Sequence, residues 1–294
     1  NKRTTVQYLL FETGTGIRMM KPTAVKPVNY IQYRNGVTSL VKEGRVISES
    51  SVSLTVNGIF WLSWMCTPME LEDLAVGFLF NEGIIQSIQE IEILRPCNHG
   101  DNVDVWLNHP VEKPLHWRKT SGCTGGMTSE TAQQRTQPIT NGDVFPAEKL
   151  LGWMEQLFDS QTLYRQTRGV HCSMLTDGEA IMAIAEDIGR HNTLDKIAGK
   201  LIRQSLQPTR RILLTTGRIS SEMLQKAARI GAAILISRTS PTSLSIQLAE
   251  QYGITLIGYA RRNQFNLYTH PQRVGITFPE SITEQQPSVY PVSA

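Results

Sequence analysis

Three short apolar segments in the second half of the chain constrain its fold more than any other feature of the sequence. They read ILLTT from residue 212, AAILIS from residue 232 and ITLIGY from residue 254, and helix-like segments that begin near Ser221 and Thr242 separate them. Continuous apolar runs of this length between helices are typical of parallel strands that are covered on both faces of a sheet. The second half is therefore predicted to form a layered α/β domain.

The first half shows shorter, alternating patterns. The runs VSLTV and IFWLSW flank Asn57-Gly58, a dipeptide favoured in two-residue hairpin turns. A helix should follow, with Thr67 as its N-cap and Pro68 in its first turn. Its apolar residues recur at helical spacing until Gly83 ends the pattern. The first half is thus predicted to be a small mixed α+β domain.

Residues 131–146 are polar, contain two prolines and form the best linker candidate in the chain. The two ends of the chain lack hydrophobic periodicity and are typical of loosely held tails. The predicted division is a flexible tail (1–28), an N-terminal α+β domain that includes the Cys123 loop (29–140), a C-terminal α/β domain (141–278) and a second flexible tail (279–294).

Charge and composition exclude several classes of function. A formal net charge of +3 in 294 residues, without a block of lysine and arginine, argues against nucleic acid as a partner. No apolar run approaches the roughly 18 residues that span a bilayer. The four cysteines lie far apart in the sequence, which is typical of cytosolic thiols and not of a disulfide framework. Cys97 and His99 lack the second pair of ligands that a zinc site needs. We therefore expect a soluble, cytoplasmic protein that binds neither membranes nor a structural metal.

Cationic residues follow each of the three apolar strands. Arg218 comes after the first, Arg238 after the second, and Arg261 with Arg262 after the third. Because the carboxyl ends of parallel strands share one edge of a sheet, these residues would meet where such folds usually bind ligands. The pattern favours an anionic ligand. The alternative, that the arginines only keep a surface soluble, stays open.

A second candidate cluster is AEDIGRHNTLDK, residues 185–196, which is predicted to end a strand and begin a helix. Asn192 is the expected N-cap, and Asp195 would support the cap. Asp187 and Arg190 could form a purely structural ion pair, but Arg190 and His191 are also candidates for a site at the same sheet edge.

Two neighbouring residues in the strand GVHCSML, His171 and Cys172, should point to opposite faces of the sheet. Cys172 suits the core as a small buried thiol, and His171 is kept as a candidate site residue. Cys66 is also predicted to belong to the core.

Cys123 differs from the other cysteines because glycine, serine and threonine surround it in TSGCTGGMTSE, residues 120–130. Glycines next to a thiol permit movement and leave backbone N–H groups free to stabilise a thiolate, the nucleophilic form. This composition allows two roles, a nucleophile for acyl transfer or a carrier that holds and moves a group. A mobile loop favours the carrier.

Four segments, in this order, resemble the formate dehydrogenase accessory sulfurtransferase family, FdhD. They are SGCTGG, EDIGRHNTLDK, TTGRISSEMLQKAARIGAAILIS and YTHPQR, and the resemblance extends from about residue 29 to residue 275. It implies that a cysteine desulfurase passes sulfur to a loop cysteine, which transfers it to the molybdenum or tungsten of a bis(molybdopterin guanine dinucleotide) cofactor, the cargo, before the cofactor enters formate dehydrogenase. It also implies a homodimer and a three-layer, cytidine-deaminase-like second domain without the deaminase zinc signature.

The resemblance also implies which residues act. Cys123 matches the cysteine that carries the persulfide and is the expected catalytic residue. Many relatives have a second cysteine three positions later, where this chain has Gly126, so a mechanism that needs two thiols in the loop is in doubt. The expected cofactor-binding residues are Tyr259, Ala260, Arg261, Arg262, Asn263 and Gln264, together with Arg218, Arg190, His191 and His171.

Two other functions remain open at this level. Cys123 could serve a hydrolase or transferase in which His171 or His191 activates the thiol. The protein could also be a chaperone without catalytic activity that only binds the cofactor or the client enzyme.

Overall fold

The structure, a computed structural model, describes residues 23–97, 99–115, 117–119, 127–129, 137–140 and 142–276. The described elements of the first half are β1 (Val25–Arg34), β2 (Val37–Ile47), β3 (Ser50–Val56), β4 (Ile59–Cys66), α1 (Leu71–Asn81), β5 (Ile91–Pro96), β6 (Asn102–Leu107), β7 (Trp117–Lys119) and β8 (Met127–Ser129). Those of the second half are α2 (Ala147–Asp159), α3 (Leu163–Thr167), β9 (His171–Thr176), β10 (Ile181–Asp187), α4 (Arg190–Arg203), β11 (Ile212–Thr215), α5 (Ser221–Ile230), β12 (Ile234–Ser237), α6 (Ser243–Tyr252), β13 (Thr255–Arg261) and β14 (Gln264–Leu267).

The second half contains a six-stranded sheet in the order β10-β9-β11-β12-β13-β14. Strands β11, β12 and β13 are parallel, which confirms the prediction from the three apolar segments. Strand β9 is antiparallel to both β10 and β11, so β10 runs in the same direction as the parallel strands. The carboxyl ends of four strands and the amino end of β9 therefore lie at one edge.

Helices cover both faces of this sheet. Leu213 and Leu235 face a core shared with α4, α5 and α6, whereas Leu214 and Ile236, the next residues along the same strands, face a core shared with α2. This alternation explains why the strands are apolar at successive positions, since each neighbour in sequence enters a different core. The layered α/β arrangement is confirmed. The likeness to cytidine deaminases stays a prediction.

The first half contains a four-stranded sheet in the order β4-β3-β6-β5, with α1 packed on one face. Val52 and Leu54 of β3 are buried against α1, while the intervening Ser53 points to the other face and is half-buried. The hairpin turn predicted at Asn57 and Gly58 is confirmed, with φ angles of 48° and 78°. The sheet is mixed, since β3 and β6 are parallel and the outer pairs antiparallel, and its other side faces solvent in part.

Helix α1 begins at Leu71, after Glu70, and the prediction of Thr67 as its N-cap is wrong. The Thr67 hydroxyl instead accepts a hydrogen bond from the backbone of Ile188 at 3.2 Å. The Thr67 backbone N–H donates to the Asp187 carboxylate at 3.1 Å. Thr67 therefore bonds to the second half of the chain instead of capping α1.

The structure differs from the prediction in two places, the N-terminal tail and the linker candidate. Strand β1 starts at Val25, inside the segment predicted to be a tail, whereas residues 1–22 and 277–294 lie outside the described part. In the linker candidate, Ile139 is buried, and its backbone N–H donates to the Tyr252 carbonyl at 2.8 Å. The buried Arg273 guanidinium donates to the Ile139 carbonyl at 2.7 Å. The linker candidate is thus anchored to the second half at Ile139, and the domain boundary stays a prediction.

Two glycines set the distance between α1 and α4, the helix pair that joins the halves. A Cβ atom on Gly77 of α1 would overlap the Asp195 carbonyl of α4, and a Cβ atom on Gly199 of α4 would overlap the Asp73 carbonyl of α1. Both obstacles are backbone atoms, which cannot move aside as a side chain can. The helices therefore approach more closely than any residue larger than glycine would allow.

We predict that Gly77→Ala lowers the free energy of unfolding by about 3 kcal/mol or more, because the helices must separate to accommodate the methyl group. Gly152→Ala in α2 is the matched control, since a Cβ atom there meets nothing within 4 Å. It should stabilise the protein by up to about 1 kcal/mol through helix propensity. Urea denaturation of both variants measures the difference, and equal stabilities would contradict the close packing of the two helices.

Candidate functional site

The turns that follow β10, β11, β12 and β13 are connected to one another along one edge of the six-stranded sheet. The backbone N–H of Arg238, after β12, donates to the Thr215 carbonyl of β11 at 3.2 Å. The backbone N–H of Tyr259, in β13, donates to the Thr239 carbonyl at 3.0 Å. These bonds hold successive turns side by side, so the cationic residues predicted for this edge share one surface.

The turn between β11 and α5 is built around Gly217. Its N–H donates to the Thr215 hydroxyl at 3.2 Å, and its carbonyl accepts from the Ser237 hydroxyl at 2.7 Å. A Cβ atom at this position would lie 2.9 Å from Cβ of Arg190, at the start of α4. Glycine therefore lets Arg190 lie directly against this turn. Ser220 ends the turn and caps α5, as its side chain accepts from the Met223 N–H.

The arginines differ in their surroundings. Arg218 is exposed on the β11 turn, and Arg262 is exposed where the chain turns from β13 to β14. The guanidinium of Arg238 lies 5.3 Å from the ring centroid of Phe158 in α2, a distance typical of a cation–π contact. Arg218 and Arg262 are thus exposed residues of the two turns, while Arg238 packs against a helix.

The segment predicted as a loop after β13, YARRNQ, is a β-hairpin instead. Tyr259, Ala260 and Arg261 belong to β13, and Gln264 begins β14 and pairs with Arg261. The sequence did not reveal β14 because QFNL, although it alternates polar and apolar residues as a half-buried strand does, is only four residues long. The turn itself consists of Arg262 and Asn263, both exposed.

Side chains of this hairpin contribute unequally to the surface. Tyr259 is 41% exposed and has a φ angle of 54°, which is unusual for a residue with a side chain. Left-handed backbone at such positions often accompanies a functional constraint. Ala260 is buried within the core that α2 covers, so only its backbone is available to a ligand.

Two histidines stand beside these cations. Nδ1 of the half-buried His171 lies 3.5 Å from the Thr216 hydroxyl, and Nε2 of the buried His191 lies 3.5 Å from the Ser220 hydroxyl. Burial lowers the pKa of His171, Arg190 lowers it further, and Asp187 opposes them. Burial, Lys226, Arg190 and His171 together hold the pKa of His191 well below its usual value. Both imidazoles are therefore neutral near pH 7, and the positive charge belongs to the arginines.

The turn between β10 and α4 differs from the prediction in three respects. Helix α4 begins at Arg190 after the N-cap Gly189, so Asn192 is not the cap. Asp187 pairs with Lys196 at 2.7 Å, which replaces the structural ion pair considered between Asp187 and Arg190.

Asp195 pairs with Lys226 and accepts from the Asn81 amide at 2.8 Å, so it does not support the cap. The buried lysines Lys196 and Lys226 were not predicted. The spacing of Asn192 and Lys196 places both on one face of α4, but nothing in the local sequence indicates that this face buries a lysine.

Cys123 lies outside the described residues. Its segment joins β7 to β8, two antiparallel strands in which Lys119 pairs with Met127. Among the described cysteines, Cys66 and Cys172 are buried as predicted. Burial raises the pKa of Cys66 to about 12 and that of Cys172 further still, so both thiols are poor nucleophiles. The Cys97 thiol donates to the Asp101 carboxylate at 2.7 Å within a turn.

Two features are absent from the described residues. These residues contain no group of three or more histidine, cysteine or acidic residues arranged to hold a metal ion. None of their helices has the length and apolar character that crossing a bilayer requires.

Comparison with known proteins gives the same family as the sequence motifs. The chain matches the FdhD/NarQ family over residues 47–275. The sulfur carrier protein FdhD of Bacillus subtilis (strain 168) is 36% identical over 261 residues, 86% of this chain and 98% of its own. The protein of that name from Bordetella bronchiseptica is 34% identical over 257 residues, 83% of this chain and 92% of its own.

A solved structure extends the comparison to the fold. A crystal structure from Desulfotalea psychrophila, described as a candidate formate dehydrogenase accessory protein, matches with a TM-score of 0.69 and 27% identity. The match covers 85% of this chain and 99% of that one. The family match includes the four-stranded and six-stranded sheets and all residues of the candidate edge.

We predict that His191 makes the protein less stable as the pH falls from 6.5 towards about 5. The folded state resists protonation of His191, whereas the unfolded chain takes up that proton near its ordinary pKa, so the stabilisation is complete above 6.5 and is lost below it. The free energy of unfolding should fall by up to about 1.4 kcal/mol per pH unit for one such group. Urea denaturation of His191→Gln should show a smaller fall.

His270→Gln serves as the comparison, because His270 lies at the opposite edge of the sheet, next to the start of β13. It reports the effect of losing a histidine elsewhere in the protein. If His191→Gln loses stability with falling pH as steeply as the unsubstituted protein, His191 does not titrate as described.

Proposed function

Because this chain belongs to the FdhD/NarQ family, we propose that it is a sulfur carrier that acts as an accessory protein of formate dehydrogenase. The observation that carries this proposal is the 36% identity to a protein named as a sulfur carrier, over 98% of that protein's length. The sequence similarity includes both sheets and the cationic sheet edge instead of one isolated motif, which supports a shared activity.

Cys123 is the proposed carrier residue. Its thiolate attacks the terminal sulfur of a persulfide on a cysteine desulfurase, the new S–S bond forms on Cys123, and the desulfurase cysteine leaves as a thiolate. No external oxidant is required, because the terminal sulfur keeps its oxidation state in this exchange. Cys66 and Cys172 are buried, and a hydrogen bond occupies the Cys97 thiol. These cysteines are therefore poor alternatives, which supports Cys123 as the carrier residue.

The sulfur then moves to its acceptor, the molybdenum or tungsten of a bis(molybdopterin guanine dinucleotide) cofactor. The S–S bond breaks, Cys123 is left as a thiolate, and the transferred sulfur takes two electrons from the metal as it becomes a sulfide ligand. The protein would thus be a sulfurtransferase that handles the cofactor as cargo. We place the reaction in the cytoplasm, where thiols stay reduced, and expect the protein to act as a homodimer.

The cationic sheet edge is the proposed cargo site. Arg218 and Arg262 would bind pyrophosphate groups through charge-assisted hydrogen bonds, which are stronger than neutral ones. The exposed ring of Tyr259 offers a surface on which a guanine base can stack. The neutral imidazoles of His171 and His191 can donate or accept hydrogen bonds without adding charge to the edge.

We predict that incubation with a cysteine desulfurase and cysteine adds the mass of one sulfur atom to the protein. Reductant should remove this mass, and Cys123→Ala should not acquire it, because the carrier thiol is missing. Intact-protein mass spectrometry measures the change. Cys97→Ala is the control, since Cys97 is the described cysteine that is not buried, and this variant should gain sulfur normally.

An unchanged mass in the unsubstituted protein, or equal sulfur gain in Cys123→Ala, would refute the carrier role of Cys123. Trapping of an acyl-enzyme by an activated ester would instead favour a hydrolase or transferase. If Cys123→Ala supported maturation of formate dehydrogenase fully, a binding chaperone would account for the protein better.

We also predict that GDP, which carries the guanine and pyrophosphate parts of the cargo, binds at the cationic edge. Arg262→Ala and Arg218→Ala should each weaken binding by about tenfold, since each removes charge-assisted hydrogen bonds to phosphate. Arg95→Ala is the matched control, because Arg95 is equally exposed but lies on β5 of the other sheet. Isothermal titration calorimetry measures the affinities, and an equal loss in all three variants would contradict the assigned site.

A further inference from the structure

The buried carboxylate of Asp187 lies between the candidate edge and the first half of the protein. Asp187 is the last residue of β10, is fully buried, and forms an ion pair with the equally buried Lys196 of α4 at 2.7 Å. Gly189, Arg190 and His191 follow it in sequence after one intervening residue, Ile188. The ion pair is therefore located where the chain leaves the sheet and enters the helix that carries two site residues.

Each oxygen of this carboxylate accepts two hydrogen bonds. Oδ1 accepts from the Gly189 N–H at 2.8 Å and from the Asn192 side-chain amide at 2.9 Å. Oδ2 accepts from the Lys196 ammonium at 2.7 Å and from the Thr67 N–H at 3.1 Å. All four groups that surround the carboxylate are donors, so the side chain at position 187 must offer only acceptors. An asparagine would direct its own N–H groups at other donors and could satisfy no more than part of the set.

Thr67 and Met65 connect this turn to the first half. The Thr67 hydroxyl accepts from the Ile188 N–H at 3.2 Å, next to the Asp187 side chain. The Asn192 amide donates to the Met65 carbonyl, near the end of β4, at 3.0 Å. The turn is therefore bonded on its other side to the strand that leads into α1.

We propose that Asp187 is a positioning residue of the sheet-edge site: its carboxylate holds the β10–α4 turn against Thr67 and thereby fixes Arg190 and His191 relative to the β11 turn. This placement brings the Arg190 side chain so close to Gly217 that a Cβ atom on Gly217 would lie 2.9 Å from Cβ of Arg190. Asp187 contacts no ligand itself. Its role for ligand binding rests on the proposed function of this edge.

The charge of Asp187 also reaches the site directly. Asp187 and His171 are paired residues in the β9–β10 register, and the carboxylate raises the pKa of His171 against the effects of burial and Arg190. A neutral replacement should therefore lower the pKa of His171. This shift reports the influence of Asp187 on the site without any ligand present.

The same helix provides a matched control. Asp195 of α4 pairs with Lys226 at 2.5 Å, and both side chains are buried nearly as completely as Asp187 and Lys196. The Asp195 carboxylate also accepts from the Asn81 amide of α1, and none of its hydrogen bonds to described residues reaches the β10–α4 turn. Asp195→Asn thus breaks an equivalent buried ion pair and has the same cost in stability, several kcal/mol in order of magnitude.

The test compares Asp187→Asn, Thr67→Val and Asp195→Asn. GDP affinity is measured by calorimetry, the His171 and His191 titrations by NMR of the imidazole Cε1–H groups, and stability by thermal unfolding. We expect GDP binding to weaken by about tenfold in Asp187→Asn, and by several-fold in Thr67→Val, which loses only the acceptor for Ile188. Asp195→Asn should bind GDP within about twofold of the unsubstituted protein. The His171 pKa should fall in Asp187→Asn alone.

Equal affinities in Asp187→Asn and Asp195→Asn, together with an unchanged His171 pKa, would overturn the proposal. If Asp187→Asn does not fold, Thr67→Val decides: normal GDP affinity and unmoved His171 and His191 resonances would also overturn it. If the unsubstituted protein binds no GDP, the proposed cargo site fails, and the two histidine signals then test the positioning role by themselves.

Discussion

The close approach of α1 and α4 is the constraint on which the rest of the structure depends. Gly77 and Gly199 bring the two helix backbones into contact, and this contact fixes how far α4 extends along the second sheet. Lys196 lies one turn before Gly199 and reaches Asp187, while Arg190 and His191 form the first turn of the same helix. The first half of the protein thereby determines where the amino end of α4 stands at the sheet edge.

Much of the second sheet could be predicted from sequence because its strands bury both faces. Leu213 and Leu214 enter different cores, so their pattern is continuous and distinct from that of an amphipathic helix. Helix ends marked by Gly231 and Gly253 are readable for a local reason, since both residues adopt the left-handed conformation that glycine accepts most easily. These features depend on neighbours in sequence or on simple periodicity.

The features that were missed depend on partners far away in sequence. Thr67 resembles a cap, but its polar groups bond to Asp187 and Ile188, more than a hundred residues later. Lys196 and Lys226 resemble surface residues, since lysine is almost never fully buried without a partner, and the partner is visible only in three dimensions. At the candidate site, the sequence placed the cations at one edge of the sheet. It did not reveal the hairpin that presents Arg262, because the four residues of β14 are too few for a clear strand pattern.

The anchoring of Ile139 by Tyr252 and Arg273 places an upper limit on the distance between this residue and the end of β8. Ser129, the last residue of β8, precedes Ile139 by ten positions, and a chain of that length spans at most about 35 Å when fully stretched. Because Ile139 bonds to Tyr252, the last residue of α6, the end of β8 lies within about that distance of the carboxyl end of α6.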